Sequence, residues 1–102
     1  MSAAKTKAQT IINDNGVVVF SKSYCPYCKA SKELLKNLGA KYTVLELNEI
    51  DDGSAIQTAL EEISNQRTVP NIFIGQKHIG GNSELQAKKS ELPALLKEVG
   101  AL

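Results

Sequence analysis

The chain's only two cysteines stand three positions apart, as Cys25-Pro26-Tyr27-Cys28, where a β-branched run gives way to a helical period. No other feature of the 102 residues constrains the fold so tightly. Val17 to Phe20 is a short, continuous apolar run of the kind that fills a strand buried on both faces. Beyond the cysteines, Ala30, Leu34, Leu35 and Leu38 recur at helical spacing, and Gly39 ends the period. Lys29, Lys32 and Lys36 form the opposite stripe, which reads as a solvated face. Pro26 falls in the first turn, where a missing N–H costs the helix nothing. Cys25 is therefore placed at a helix N-terminus, with Cys28 one turn further in.

The rest of the chain fits around that strand–thiol–helix unit. Ala4, Ala8, Ile11 and Ile12 predict a first helix, closed by Asn15-Gly16. Tyr42 to Leu47 reads as a second strand, and Asp51, Asp52, Gly53 and Ser54 offer loop and N-cap chemistry before a helix marked by Ile56, Leu60 and Ile63. Ile72 to Ile74 and His78 to Ile79 are two short strands joined across Gly75-Gln76, where glycine at the first central position suits a type II′ turn. Gly80-Gly81 breaks the chain. A helical stretch from Leu85 and a stripe of Leu92, Leu95, Leu96 and Val99 complete it, with a break expected near Pro93. The predicted fold is α/β: a mixed four-stranded sheet built from a βαβ and a ββα half, flanked by helices, with an extra N-terminal helix. One domain over 1–102 is expected, well within the ~150 residues that serve as a rough domain prior.

Composition removes several function classes. Twelve Lys plus Arg against eleven Asp plus Glu leave a formal charge of +1, far from the basic bias that phosphate neutralisation demands of a nucleic-acid binder. No apolar run approaches the ~20 residues of a membrane span. Met1 to Thr10 carries Lys5 and Lys7 but no apolar stretch of the ~7 to 15 residues a secretory leader needs. A cytoplasmic, monomeric protein with no nucleic-acid or membrane partner is the expectation.

The Cys-x-x-Cys pair points to redox chemistry because a thiolate, not a thiol, attacks a disulfide, and the positive end of a helix favours that anion. Cys25 would be the nucleophile and Cys28 the resolving thiol. Two other readings compete. Zinc needs about four ligands, whereas the chain holds two cysteines and the sequence-distant His78. A purely structural disulfide over so short a loop restricts the unfolded chain little. No metal is expected.

Cys25-Pro26-Tyr27-Cys28 after a valine-rich strand, then Thr68-Val69-Pro70, then Gly80-Gly81 closely resembles the dithiol glutaredoxins. Gln66-Arg67-Thr68-Val69-Pro70-Asn71 and Lys77-His78-Ile79-Gly80-Gly81-Asn82 look like fungal or plant members. The likeness runs over about residues 5 to 100. It implies a thioredoxin-like fold, glutathione as electron donor, and reduction of protein–glutathione mixed disulfides and protein disulfides, with glutathione reductase as an indirect partner. The family also includes dimers that bridge an iron–sulfur cluster through this cysteine and glutathione. Pro26 argues against that alternative, since cluster binding goes more with smaller residues there.

The same resemblance assigns a glutathione site. Pro70 matches the family's cis-proline, and the backbone of Val69, after Thr68, would pair with the cysteinyl residue of glutathione. Lys22, with Gln57 and Arg67, resembles the set that holds the glycine carboxylate. Gly81, Ser83 and Glu84 would meet the γ-glutamyl end, Ser83 and Glu84 standing where the family often has Asp. Helix capping is the competing role for Ser83 and Glu84. Tyr27 would pack its ring beside the ligand.

Overall fold

The computed structural model describes residues 2–102. Ala3–Asp14 (α1) precedes Val17–Ser21 (β1), Pro26–Asn37 (α2) and Thr43–Glu46 (β2). A short 3-10 turn at Leu47–Glu49 leads into Gly53–Ser64 (α3), then Asn71–Ile74 (β3), Lys77–Gly80 (β4), Asn82–Ala87 (α4) and Leu92–Glu98 (α5). The sheet order is β2-β1-β3-β4, with β1 parallel to β2 and antiparallel to β3, and β3 antiparallel to β4. This is the mixed sheet expected, and the extra helix at the N-terminus is present.

Alternation along β1 explains why its run of apolar residues has no polar gap. Val17 and Val19 enter one core with Leu34 and Leu35 of α2, Leu85 of α4, and Leu92 and Leu96 of α5. Val18 and Phe20 enter the other, with Ala8 and Ile12 of α1, Ile56 and Leu60 of α3, and Leu47. Phe20 meets Phe73 of β3 edge-to-face, with ring centroids 6.0 Å apart. A period of two in a strand covered on both faces thus supplies two cores at once.

Three local expectations are corrected. Gly75 and Gln76 both have positive φ, at 58° and 69°, so the hairpin is type I′, not type II′. A type I′ turn follows the twist of its flanking strands, and that match carries Gln76 into a region most side chains avoid. The second strand is shorter than Tyr42 to Leu47 because Leu47 leaves the ladder to bury itself beneath α1 and α3. The carboxylate of Asp52, at the N-cap position of α3, caps no backbone N–H there and instead takes Lys7 Nζ at 2.9 Å. The last helical region does divide, at residues 88–91, leaving Pro93 in the first turn of α5 where it is tolerated.

Gly53 is fixed by close approach. A Cβ there would collide with the Leu47 carbonyl oxygen and come within 2.7 Å of its carbonyl carbon, backbone atoms that cannot swing aside. Alanine would otherwise gain about 1 kcal/mol in a helix, but overpacking costs ~1–3 kcal/mol. Gly53→Ala is expected to destabilise the protein by about 1 kcal/mol net of the helix gain. Thermal unfolding should show a melting temperature lower by roughly 4 to 8 °C.

Candidate active site

Where β1 runs out, the chain turns and Cys25 becomes the N-cap residue of α2, with Pro26 in the first turn. Its amide donates to the Lys22 carbonyl at 3.0 Å, closing the turn, while its sulfur accepts the Cys28 N–H at 3.3 Å. An N-cap acceptor fills the role that serine or aspartate fills elsewhere. Here the acceptor is a sulfur, and negative charge on it would be met by the unpaired N–H groups of the first turn. Cys25 is part exposed, and Cys28 is fully buried.

That inequality is chemical. Burial pushes the Cys28 thiol above its ordinary range, and the Cys25 sulfur beside it adds to the effect. Contacts to the Lys22 backbone and the Ser21 hydroxyl oppose it without cancelling it. Cys28 therefore stays protonated where Cys25 meets solvent.

Opposite the thiol, the Val69-Pro70 peptide bond is cis, and the Cys25 sulfur faces the Val69 carbonyl oxygen at 3.9 Å. The loop forms one wall of a groove of about 360 Å³ lined by Tyr27, Thr68, Val69, Pro70, Gly81, Asn82, Ser83 and Glu84. A hollow of about 260 Å³ at the far end of the sheet is lined by residues 14–17, 41–43 and 99–101 and contains no cysteine. The chemistry lies with the first.

The chain brings most of the sequence-predicted residues to that groove. Tyr27, from α2, stands 69% exposed at its rim, beside an equally exposed Tyr24 that the sequence reading did not single out. Glu84 reaches back to take the Gly81 N–H at 2.7 Å, so capping is part of its work and that donor is already engaged. The helix begins at Asn82, ahead of the stretch expected from Leu85, and among the described residues the N–H groups of Asn82 and Ser83 have no acceptor.

Three predicted residues lie off the groove. Lys22 sits in the turn before Cys25 and has no carboxylate partner among the described residues. Gln57 donates to the Arg67 carbonyl at 2.8 Å. The Arg67 guanidinium is turned to α3, 3.1 Å from Thr58 Oγ1 and 3.8 Å from Glu61.

Asn82 was missed. Its Oδ1 accepts the hydroxyl of buried Ser31 at 2.9 Å, linking the cysteine helix to the far wall of the groove. A serine on the inner face of α2 facing an asparagine was the available signal.

The raised Cys28 pKa carries a sign that can be tested. The folded chain keeps this proton after the unfolded chain has lost it, so unfolding releases a proton and stability falls as pH climbs through and above the ordinary thiol range of about 8.5. For the reduced protein, Cys28→Ser should flatten that alkaline decline in denaturant-melt stability. At neutral pH, iodoacetamide should modify Cys25 and reach Cys28 only on unfolding.

The sequence and fold were compared with known proteins. The family model described as Glutaredoxin matches residues 17–79. A glutaredoxin of Ricinus communis is 57% identical over 101 residues, covering 97% of this chain and 99% of that protein. Glutaredoxin-C2 of Arabidopsis thaliana is 54% identical, covering 97% and 91%. The crystal structure of a buckwheat glutaredoxin–glutathione complex superposes with a TM-score of 0.93 at 48% identity, covering 97% of this chain and 92% of that one. On the motif match, the fold and these identities, the chain belongs to the glutaredoxin family.

Proposed function

We propose that this glutaredoxin is a glutathione-dependent thiol–disulfide oxidoreductase that clears glutathione from mixed disulfides through Cys25 alone and reduces protein disulfides through Cys25 and Cys28 together. The observation that carries this reading is the pairing of a part-exposed N-cap thiol with a groove whose Val69 edge stands 3.9 Å from its sulfur. A structural neighbour solved with glutathione supports the choice of ligand.

In the one-cysteine route, the Cys25 thiolate attacks the glutathione sulfur of a protein–glutathione disulfide. The S–S bond breaks, the protein thiolate leaves and takes a proton from solvent, and Cys25 holds glutathione. A second glutathione, as thiolate, attacks the glutathione sulfur of that disulfide and leaves as oxidised glutathione, restoring Cys25. One free glutathione is consumed: its sulfur is oxidised to the disulfide level as the protein sulfur is reduced to the thiol, and the other half of the oxidised glutathione arrived on the substrate.

With a protein disulfide, Cys25 first becomes joined to the substrate. Cys28 then loses its proton and attacks the Cys25 sulfur, releasing the reduced substrate and closing the Cys25–Cys28 bond. Glutathione reduces that bond, and glutathione reductase recycles the product. Glutaredoxin potentials of about −200 to −230 mV lie at or above a cytosolic glutathione poise of roughly −220 to −260 mV, so electrons flow towards the substrate.

In the groove, the free N–H and carbonyl of Val69 pair with the cysteinyl residue of glutathione as a one-residue strand addition. Lys22 takes the glycine carboxylate. The γ-glutamyl end meets Gly81, Ser83 and the outer oxygen of Glu84, and Tyr27 covers the middle of the ligand. Gln57 and Arg67 join Lys22 only if Arg67 leaves Thr58 and Glu61. The protein acts as a monomer in the cytoplasm, on glutathionylated and disulfide-bonded proteins.

Activity with glutathione, glutathione reductase and a glutathionylated peptide tests the whole reading; its absence would overturn it. Cys25→Ser should abolish turnover of both substrate types. Cys28→Ser should keep most of the activity on the glutathionylated peptide and lose that on a protein disulfide. If it loses both alike, the one-cysteine route is wrong.

Lys22→Ala should weaken use of the glutathionylated peptide by about fivefold at low salt, the scale of one exposed charge pair. Its use of an uncharged disulfide should change less, and the penalty should shrink as salt screens the charge. Equal losses on both substrates would place Lys22 on the thiolate instead of the ligand.

A further inference from the structure

The loop that carries Val69 is held by a side chain with no part in the scheme above. Gln66, just beyond α3, turns its amide into the loop, where Nε2 donates to the Thr68 carbonyl oxygen at 3.1 Å and to the Pro70 carbonyl oxygen at 2.9 Å. Both amide hydrogens are then spent. The opposite amide orientation would set Oε1 against two carbonyl oxygens and is excluded by their repulsion.

Those two carbonyls flank Val69. Among the described residues the Val69 N–H has no acceptor, and its carbonyl faces only the Cys25 thiol. Gln66 thus ties down both neighbours and leaves the middle residue's pair open. It does this from behind the groove, which it does not line. A Cβ at Gly81 would lie 3.6 Å from the Pro70 carbonyl oxygen and 4.0 Å from Gln66 Nε2, so the network backs directly onto the groove wall.

The amide is itself oriented. Gln66 Oε1 lies 3.1 Å from Nε2 of His78 on β4. With its hydrogens committed, the amide offers that nitrogen only an acceptor, so Nε2 of His78 must carry a hydrogen. The imidazole is tilted against Phe73, with ring centroids 5.2 Å apart. The residue is exposed overall, yet partial desolvation lowers the ring's pKa from the ordinary histidine value, against the opposing pull of Glu84, which favours the uncharged ring at neutral pH.

We propose that Gln66, held in one orientation by the Nε2–H tautomer of His78, is a positioning residue: by fixing the Thr68–Val69 peptide plane and the Pro70–Asn71 plane beyond the next bond, it holds Val69 between them for pairing with glutathione. The inference rests on Val69 being the glutathione-pairing residue. Gln66 touches neither the ligand nor the reacting sulfurs and acts through the loop.

Two disulfides of one peptide separate the possibilities, one capped with glutathione and one with 2-mercaptoethanol, which has no peptide group to pair with Val69. Gln66→Met keeps the length of the side chain and removes both donors. The KM for the glutathione-capped peptide should rise about fivefold or more, the scale of one neutral hydrogen bond, with kcat and the mercaptoethanol-capped reaction changed by less than about twofold. His78→Phe, which keeps a ring against Phe73 but donates nothing, should raise the same KM by a smaller factor.

In the native protein, ¹⁵N NMR at neutral pH should find His78 as the Nε2–H tautomer. This measurement stands even if a variant fails to fold. A KM unchanged in Gln66→Met, equal losses on both peptides, or an Nδ1–H tautomer in the native protein would each overturn the proposal. A native enzyme that does not prefer the glutathione-capped peptide would instead overturn the reading of Val69, before any variant is made.

Discussion

Strand β1 is paired along both edges and covered on both faces, and the rest of the molecule depends on it. Its hydrogen bonds to β2 and β3 fix its direction, and its alternating side chains bind two helical layers to one sheet. The reactive sulfur sits a few residues beyond the point where this fully buried segment ends. A thiol on a long loop would have to be ordered at each encounter with substrate. At the seam between a buried strand and a helix N-terminus it is already placed, with donors aimed at it.

The opposite wall of the groove is made differently. No run of apolar residues fixes the segment from Asn65 to Asn71; polar side chains do. The Asn71 amide, itself buried, donates to Ser64 Oγ at 3.2 Å and to the Gln66 carbonyl at 3.3 Å. Asn65 closes α3 in the left-handed region at φ 60°, donating its N–H to the Glu61 carbonyl. A loop whose Gln66, Thr68 and Pro70 carbonyls are satisfied from within, and whose Arg67 carbonyl is held by Gln57, can leave one residue's N–H and carbonyl exposed without collapsing onto them. The cysteine helix α2 is in turn tied to α4 by the hydrogen bond from Ser31 to Asn82.

Much of this was readable beforehand, and the boundary between what was and was not is physical. The strand, the cysteine helix and the placing of Cys25 at its start were legible because an unbroken β-branched run gives way to a 3.6-residue period near Cys25 and a proline marks the first turn. Gly75-Gln76 gave away a hairpin but not its type, because nothing in a glutamine announces a positive φ imposed by the twist of the strands beside it. Arg67 was placed with the ligand from its neighbours in sequence, whereas its guanidinium is engaged by Thr58 and Glu61 of α3, a tertiary choice the local motif does not contain. Gln66 was quoted as part of a motif and given no role. Its two acceptors become neighbours only once the chain has folded over Pro70, and its third partner arrives from another strand.

The two exposed tyrosines beside the thiol have an optical consequence. The chain has three tyrosines and no tryptophan, so its near-ultraviolet emission is tyrosine emission. Tyr24 and Tyr27 flank Cys25 in the chain and are exposed, while Tyr42 packs partly buried against the first core, far along the sheet. Thiolates and disulfides quench nearby phenol fluorescence, so the two tyrosines flanking Cys25 in the chain are the emitters placed to respond to the sulfur that changes state, and the third is not. The molecule carries its own unlabelled indicator of catalytic state, with Tyr42 as the built-in reference.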